Sequence, residues 1–267
     1  MPKRLIINSD DYGRSHDISR GIREAHLRGV VTSTTCMMNI PTTAEDIAIA
    51  LRETPRLGLG VHLVLTMGKP ISAAETVSSA TDEEGNFLKY NPFVENLPRL
   101  NINEVKAEWR VQIEAFIKAV GRKPTHIDSH HHSSFFTASL FRGMLELAKE
   151  YDCAIRFPFT NNVSGELQET FKEAAGLMKE FNPRRPDVFI VDFYDEQATQ
   201  QELLRIINNV EAGSTEIMCH PGYVDKAFAK ESSYNIQREA ELAVLTDPFI
   251  KQTIQANGIE LITFVNL

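Results

Sequence analysis

Half of the chain's eight histidines fall in one stretch of eleven residues, PTHIDSHHHSS at 124–134, together with an aspartate. Neutral imidazole and carboxylate are common ligands of divalent metals, so the stretch is a candidate metal site. The run before it, EVKAEWRVQIEAFIKAVG, carries Val105, Trp109, Ile113, Phe116 and Val120 at helical spacing. Gly121 ends that helix and Pro124 discourages its resumption. The histidine stretch is then predicted to be a strand. His126, Asp128, His130 and His132 would share one face, about 7 Å apart at each two-residue step, with Ile127, Ser129 and His131 on the other. A histidine tract by itself is a compositional signal, so further ligands must come from elsewhere in the chain.

Other candidates lie far apart in sequence. NSDDYG places Asp10 and Asp11 side by side, and adjacent residues at a strand end point in different directions. One carboxylate can bind a metal while the other contacts water. Neither is needed to cap the helix that follows, because Ser15 or Asp17 can do that. His62 sits inside the apolar run GLGVHLVL, where a titratable group is costly unless paired or ligated. His220 precedes Pro221 and Gly222, whose turn would expose its ring. Cys219 beside it faces the other way and makes no Cys–His dyad. One aspartate and two histidines on a metal leave positions for water and substrate. A second carboxylate can act as general base, and His220 as the acid for the leaving atom.

Strands must deliver these groups. Apolar runs at 4–9, 30–39, 57–66, 125–130, 153–159, 187–193, 215–221 and 259–265 alternate with helical patterns, as in parallel βα units. The first expectation is an α/β fold, a closed or distorted (β/α) barrel of one domain over 1–267; a doubly wound open sheet is the second. Asp10, Asp11, the histidine run, Asp192 and His220 fall near the ends of these runs and Arg156 lies within one, and a (β/α) barrel builds its functional face from strand C-termini. Residues 67–103 break the rhythm and read as an excursion near the mouth of the site.

The formal net charge of −8, without a basic cluster, argues against nucleic acid and anionic membranes as partners. No stretch approaches the roughly 20 apolar residues of a membrane span, and the start lacks the apolar core of a signal peptide. Cys36, Cys153 and Cys219 read as reduced cysteines of a cytoplasmic protein. No GxSxG elbow, Walker loop or GxGxxG occurs, which argues against serine hydrolase, nucleotide and dinucleotide chemistry.

IINSDDYG, GVVTSTT, LGLGVHLVLTMGKP, GRKPTHIDSHHH, TEIMCHPGY and SSYN..RE follow one another across nearly the whole chain. In these motifs the sequence resembles the YdjC-like carbohydrate deacetylases, and LTMGKP and GRKPTH resemble their chitooligosaccharide (diacetylchitobiose) branch. The resemblance implies a barrel of the NodB-type, glycoside hydrolase/deacetylase-like kind and metal-dependent removal of N-acetyl groups from acetylated oligosaccharides. It puts the metal on Asp11, His62 and His130, makes Asp10 the general base and His220 the acid, and has Arg156 orient a catalytic carboxylate. His126 and Asp128 would support the site, His132 would face substrate, and His131 would be structural. The resemblance implies magnesium, while imidazole ligands suit zinc or another later metal. Ser9, Tyr12, Ser133 and Ser134 depart from the family's usual residues. For a phosphorylated sugar, Arg14, Lys69, Arg156 and Lys226 are candidate contacts. A homodimer is compatible with the sequence. The rivals are a metal-dependent phosphoesterase, which would usually want an early His-x-His, and a non-catalytic sugar-binding or regulatory protein.

Overall fold

The structure, a computed structural model, describes residues 1–157 and 167–267. In chain order its elements are β1 (Lys3–Tyr12), α1 (His16–Leu27), β2 (Ser33–Cys36), α2 (Thr43–Glu53), β3 (Gly58–Leu63), α3 (Tyr90–Asn96), α4 (Ile102–Val120), β4 (His126–Ser129), α5 (Ala138–Tyr151), β5 (Ala154–Ile155), α6 (Leu167–Phe181), β6 (Val188–Ile190), α7 (Gln200–Asn208), β7 (Gly213–Cys219), α8 (Phe228–Glu231), α9 (Ile236–Leu245), α10 (Pro248–Ala256) and β8 (Ile259–Leu261). A strand lies in each of the eight expected places, and every described pairing between these strands is parallel. The fold class is α/β. The end of the run expected over 153–159 lies outside the described residues.

The chain divides into two compact units. One comprises Met1–Cys36, Thr42–Leu59 and Pro186–Leu267, and the other Met37–Pro41 and Gly60–Arg185. In the first, β1 lies between β2 and β7, β6 lies beyond β7, and β8 pairs with the start of β1. Leu5, Ile6 and Ile7 of β1 are wholly buried, as a strand covered on both faces requires. Against β2 the register slips between Ser9 and Tyr12, three steps on β1 matching two on β2. Asp11 takes up the extra residue with φ 69°, a left-handed value that Asp tolerates better than most side chains. Ser15 caps α1 by accepting from the Ile18 N–H, so neither aspartate is spent on that task.

In the second unit β4 lies between β3 and β5, with Val61 opposite Ile127 and Ile127 opposite Ile155. Helix α4 buries Val105, Trp109, Ile113 and Phe116, as its spacing predicts, and ends at Gly121 with φ 78°. The excursion is tied to that helix. Glu108 accepts from the Ile71 and Ser72 N–H groups, and Glu104 accepts from the Ser79 N–H.

Two expectations need correction. The histidine stretch is strand only as far as Ser129; His130–Phe135 forms a short 3-10 turn in which His131 and His132 both have φ 55°. The Ser129 hydroxyl closes that turn by accepting from the Ser134 N–H at 3.0 Å and bonding the Ser134 hydroxyl at 2.7 Å. Serine competes for backbone partners in this way, and that ends the alternation of faces. Asp192 also lies beyond its strand, exposed and 3.4 Å from Arg205.

Gly60 sits where β3 meets His126. A Cβ there would come within 2.6 Å of the His126 ring and of its backbone carbonyl oxygen. Since the backbone cannot yield as a flexible side chain does, Gly60→Ala should cost about 1–3 kcal/mol of stability in a urea titration. A midpoint equal to wild type would show that the β3–β4 contact is slack.

Candidate active site

In the second unit, register brings an imidazole to a buried carboxylate. His62 of β3 lies opposite Asp128 of β4, and their side chains meet at 2.6 Å, His62 Nδ1 to Asp128 Oδ1. Arg156 follows β5 directly and brings Nη1 within 2.9 Å of Asp128 Oδ2. Asp128 and Arg156 have no solvent exposure, and His62 has 1%. A carboxylate on Nδ1 sets the tautomer of an imidazole and leaves Nε2 as its donor atom, the usual arrangement for a metal-binding histidine. Arg156 thus pairs with the Asp128 carboxylate, and both are completely buried.

His130 opens the turn that follows β4. Its ring is 5.4 Å from that of His62, edge to face, and stacks on His131 at 3.9 Å. His131 is held by the Thr66 hydroxyl at 3.0 Å and by the edge of Tyr90 at 5.2 Å. His131 thus links the His130 ring to Thr66, and the excursion reaches the histidine run through Tyr90. His126 packs on Gly60 and bonds the Thr125 hydroxyl at 2.8 Å, while His132 is half-buried in the left-handed part of the turn.

The first unit carries Asp10, Asp11 and His220. Ser9 of β1 lies opposite Cys219 of β7, so Asp10 and His220 each follow the last pair of that ladder. Asn8 Nδ2 donates to Asp10 Oδ1 at 3.0 Å, and His220 Nε2 lies 3.9 Å from Asp10 Oδ2. Helix α9 supplies two groups one turn apart, a spacing that puts both on one helix face. Arg238 donates to Asp11 Oδ2, with Arg14 a further 3.5 Å from the same oxygen. Glu241, fully buried, accepts from the His220 backbone N–H and the Tyr234 hydroxyl, and its Oε1 is 3.9 Å from His220 Nδ1. Burial pushes the Glu241 carboxyl up to about 7; the His220 N–H, the Tyr234 hydroxyl and Arg238 pull it down, and Asp10 pushes it up again.

Tyr234, Arg238 and Glu241 were not assigned from the sequence. Tyr234 and Arg238 lie in the motif SSYN..RE, but the burial that singles out Arg238 and Glu241 shows only in the packing. Tyr194, stacked on Tyr234 at 4.5 Å, had no signal beyond its strand.

Residues 4–256 match the model of the YdjC-like protein family. The chain belongs to the YdjC-like family. It is 40% identical over 266 residues to a carbohydrate deacetylase of Clostridium beijerinckii, an alignment covering 99% of this chain and 100% of that one. It is 31% identical to a chitooligosaccharide deacetylase of Yersinia enterocolitica, with 98% of each covered. A solved structure from Enterococcus faecalis, named as a proposal for cellobiose-phosphate cleavage, superposes with TM-score 0.89 at 35% identity, covering 100% of this chain and 99% of the other. No described helix is long and apolar enough to cross a membrane. The three cysteines are buried and none forms a disulfide among the described residues.

Two predictions follow from the buried charges. Arg156→Met leaves Asp128 without its guanidinium and should cost roughly 3–5 kcal/mol of unfolding free energy, much of it recovered by Asp128→Asn in the same chain. A single variant as stable as the double would refute that coupling. Glu241 has a folded-state value near 7, above its ordinary 4.5. Its protonated form is thus favoured by folding, and the associated stability is lost as pH rises from about 4.5 through about 7. Unfolding measured across that window should therefore show wild type losing on the order of 3 kcal/mol relative to Glu241→Gln, with no further drift above it.

Proposed function

We propose that this protein is a metal-dependent hydrolase that removes N-acetyl groups from chitobiose, chitooligosaccharides or their phosphates. Carbohydrate deacetylation stands on the family and on full-length likeness to proteins named for that activity. The observation that carries the finer reading is the buried Asp10 beside His220 at 3.9 Å, a carboxylate and an imidazole in the roles of base and acid. The ligands of this reading are Asp11 of the first unit and His62 and His130 of the second, each of them buried. Their chemistry fits a divalent cation: one carboxylate, an imidazole whose tautomer Asp128 sets, and a second imidazole stacked on His131. Magnesium follows from the family resemblance, and zinc or another later metal from the two imidazoles.

When bound, the cation would polarise the amide carbonyl and acidify water in the site. Asp10 takes a proton as the water oxygen attacks the acetyl carbon. The C–N bond then breaks, His220 delivers a proton to the leaving nitrogen, and acetate and the free amine depart. Asn8 holds one oxygen of Asp10 and leaves the other toward His220. Glu241 holds the backbone of His220, and Arg238 and Arg14 hold Asp11.

The test is acetate release from N,N′-diacetylchitobiose, with and without its 6-phosphate, by chelated and then metal-restored protein. Release should depend on metal and fall at least about 100-fold in Asp10→Asn, which should still bind the metal. His130→Ala should lose metal binding and turnover together. Absence of release from both sugars with every metal tried would overturn the reading.

A further inference from the structure

Tyr194 is a large aromatic left 43% exposed within a rigid frame. Its ring lies parallel to that of Tyr234, 4.5 Å away with 3° between the planes. Both rings present edges or faces to His220, at 5.5 Å and 5.6 Å. The Tyr234 ring and the backbone that carries Tyr194 are both tied down. The Tyr234 hydroxyl donates to Glu241 and accepts from the Asp195 N–H at 3.1 Å. The backbone around Tyr194 is closed by its own N–H to the Asp192 carbonyl at 2.9 Å and by the Gln197 N–H to its carbonyl at 3.1 Å. Gln237 at the start of α9 holds Asp195 at 3.0 Å, and the neighbouring Phe193 is wholly buried.

We propose that Tyr194 is a stacking platform for a sugar ring, the residue that lays the substrate beside His220. A pyranose carries an apolar face of C–H groups and a rim of hydroxyls. A fixed aromatic ring with solvent on part of its surface covers that apolar face and leaves the rim in water. Burying apolar area there is favourable at about 25 cal/mol per Å², and no ordering of the platform has to be offset because the loop is already fixed. This assignment deepens the deacetylase reading and rests on it for the identity of the sugar. Tyr194 is a positioning residue: it contributes to holding the substrate and leaves the proton transfers to Asp10 and His220.

The experiment compares wild type, Tyr194→Ala and Tyr194→Phe on N,N′-diacetylchitobiose, with calorimetric binding of the same sugar to Asp10→Asn with and without Tyr194→Ala. The alanine variant should raise KM and Kd roughly 3- to 10-fold and change kcat less than about 2-fold, and phenylalanine should restore both constants, because the ring and not the hydroxyl matters. Unchanged constants in the alanine variant overturn the platform, as does an equal loss with phenylalanine. Acetate release by wild type with Kd unmoved by Tyr194→Ala leaves the deacetylase standing and removes the platform. Sugar binding weakened by Tyr194→Ala without acetate release from any form keeps the platform and removes the deacetylase. Neither release nor binding removes both.

Discussion

Asp128 is a carboxylate with no access to water, and much of the second unit is arranged around that fact. Removing an unpaired charge from water costs several kcal/mol even after relaxation. Asp128 is tolerable only because each of its oxygens meets a partner, His62 on one side and Arg156 on the other. Both partners come from neighbouring strands, so the pairing is also a statement about register. A one-residue slip of β3 or β5 would turn the partner to the opposite face and leave the carboxylate buried alone. The apolar residues between, Val61, Ile127 and Ile155, are fully buried and hold that register through packing. Stability and the aim of the His62 ring are thus consequences of the same ion pairs.

The first unit handles charge differently, with one helix serving two opposite needs. From α9, Arg238 meets the negative Asp11 while Glu241, one turn later, lies against His220. The guanidinium stabilises an ionised carboxylate, and burial favours the protonated form of the carboxyl. Tyr234 adds a second donor to Glu241 and spends its hydroxyl in doing so. The arrangement keeps Asp10 and His220 close while the charges around them are individually accounted for.

Much of this could be read from residue order. The eight strands announced themselves as apolar runs, because strands buried on both faces have little choice of composition. Asp10, Asp11, His62 and His220 stood out because polar groups in such runs are costly without a task. What could not be read was where β4 stops. Nothing in the alternation of HIDSHHH marks Ser129 as its end; the turn depends on Ser129 finding Ser134, five residues on, and on two histidines accepting left-handed backbone. Arg156 was expected to orient a carboxylate, and its pairing with Asp128 could be named only once β4 and β5 were in register. Arg238 and Glu241 were hidden for another reason: charged residues on an amphipathic helix usually face solvent, and only packing reveals the exceptions.

The bulge in β1 has an effect beyond local shape. Asp10 and Asp11 are the same chemical group, one peptide unit apart, yet one has an amide on its oxygen and an imidazole near it while the other has two guanidiniums. The extra residue between Ser9 and Tyr12 is what separates their surroundings. Division of labour between twins is written here in backbone geometry, so a deletion that straightened β1 would erase the distinction without removing either carboxylate.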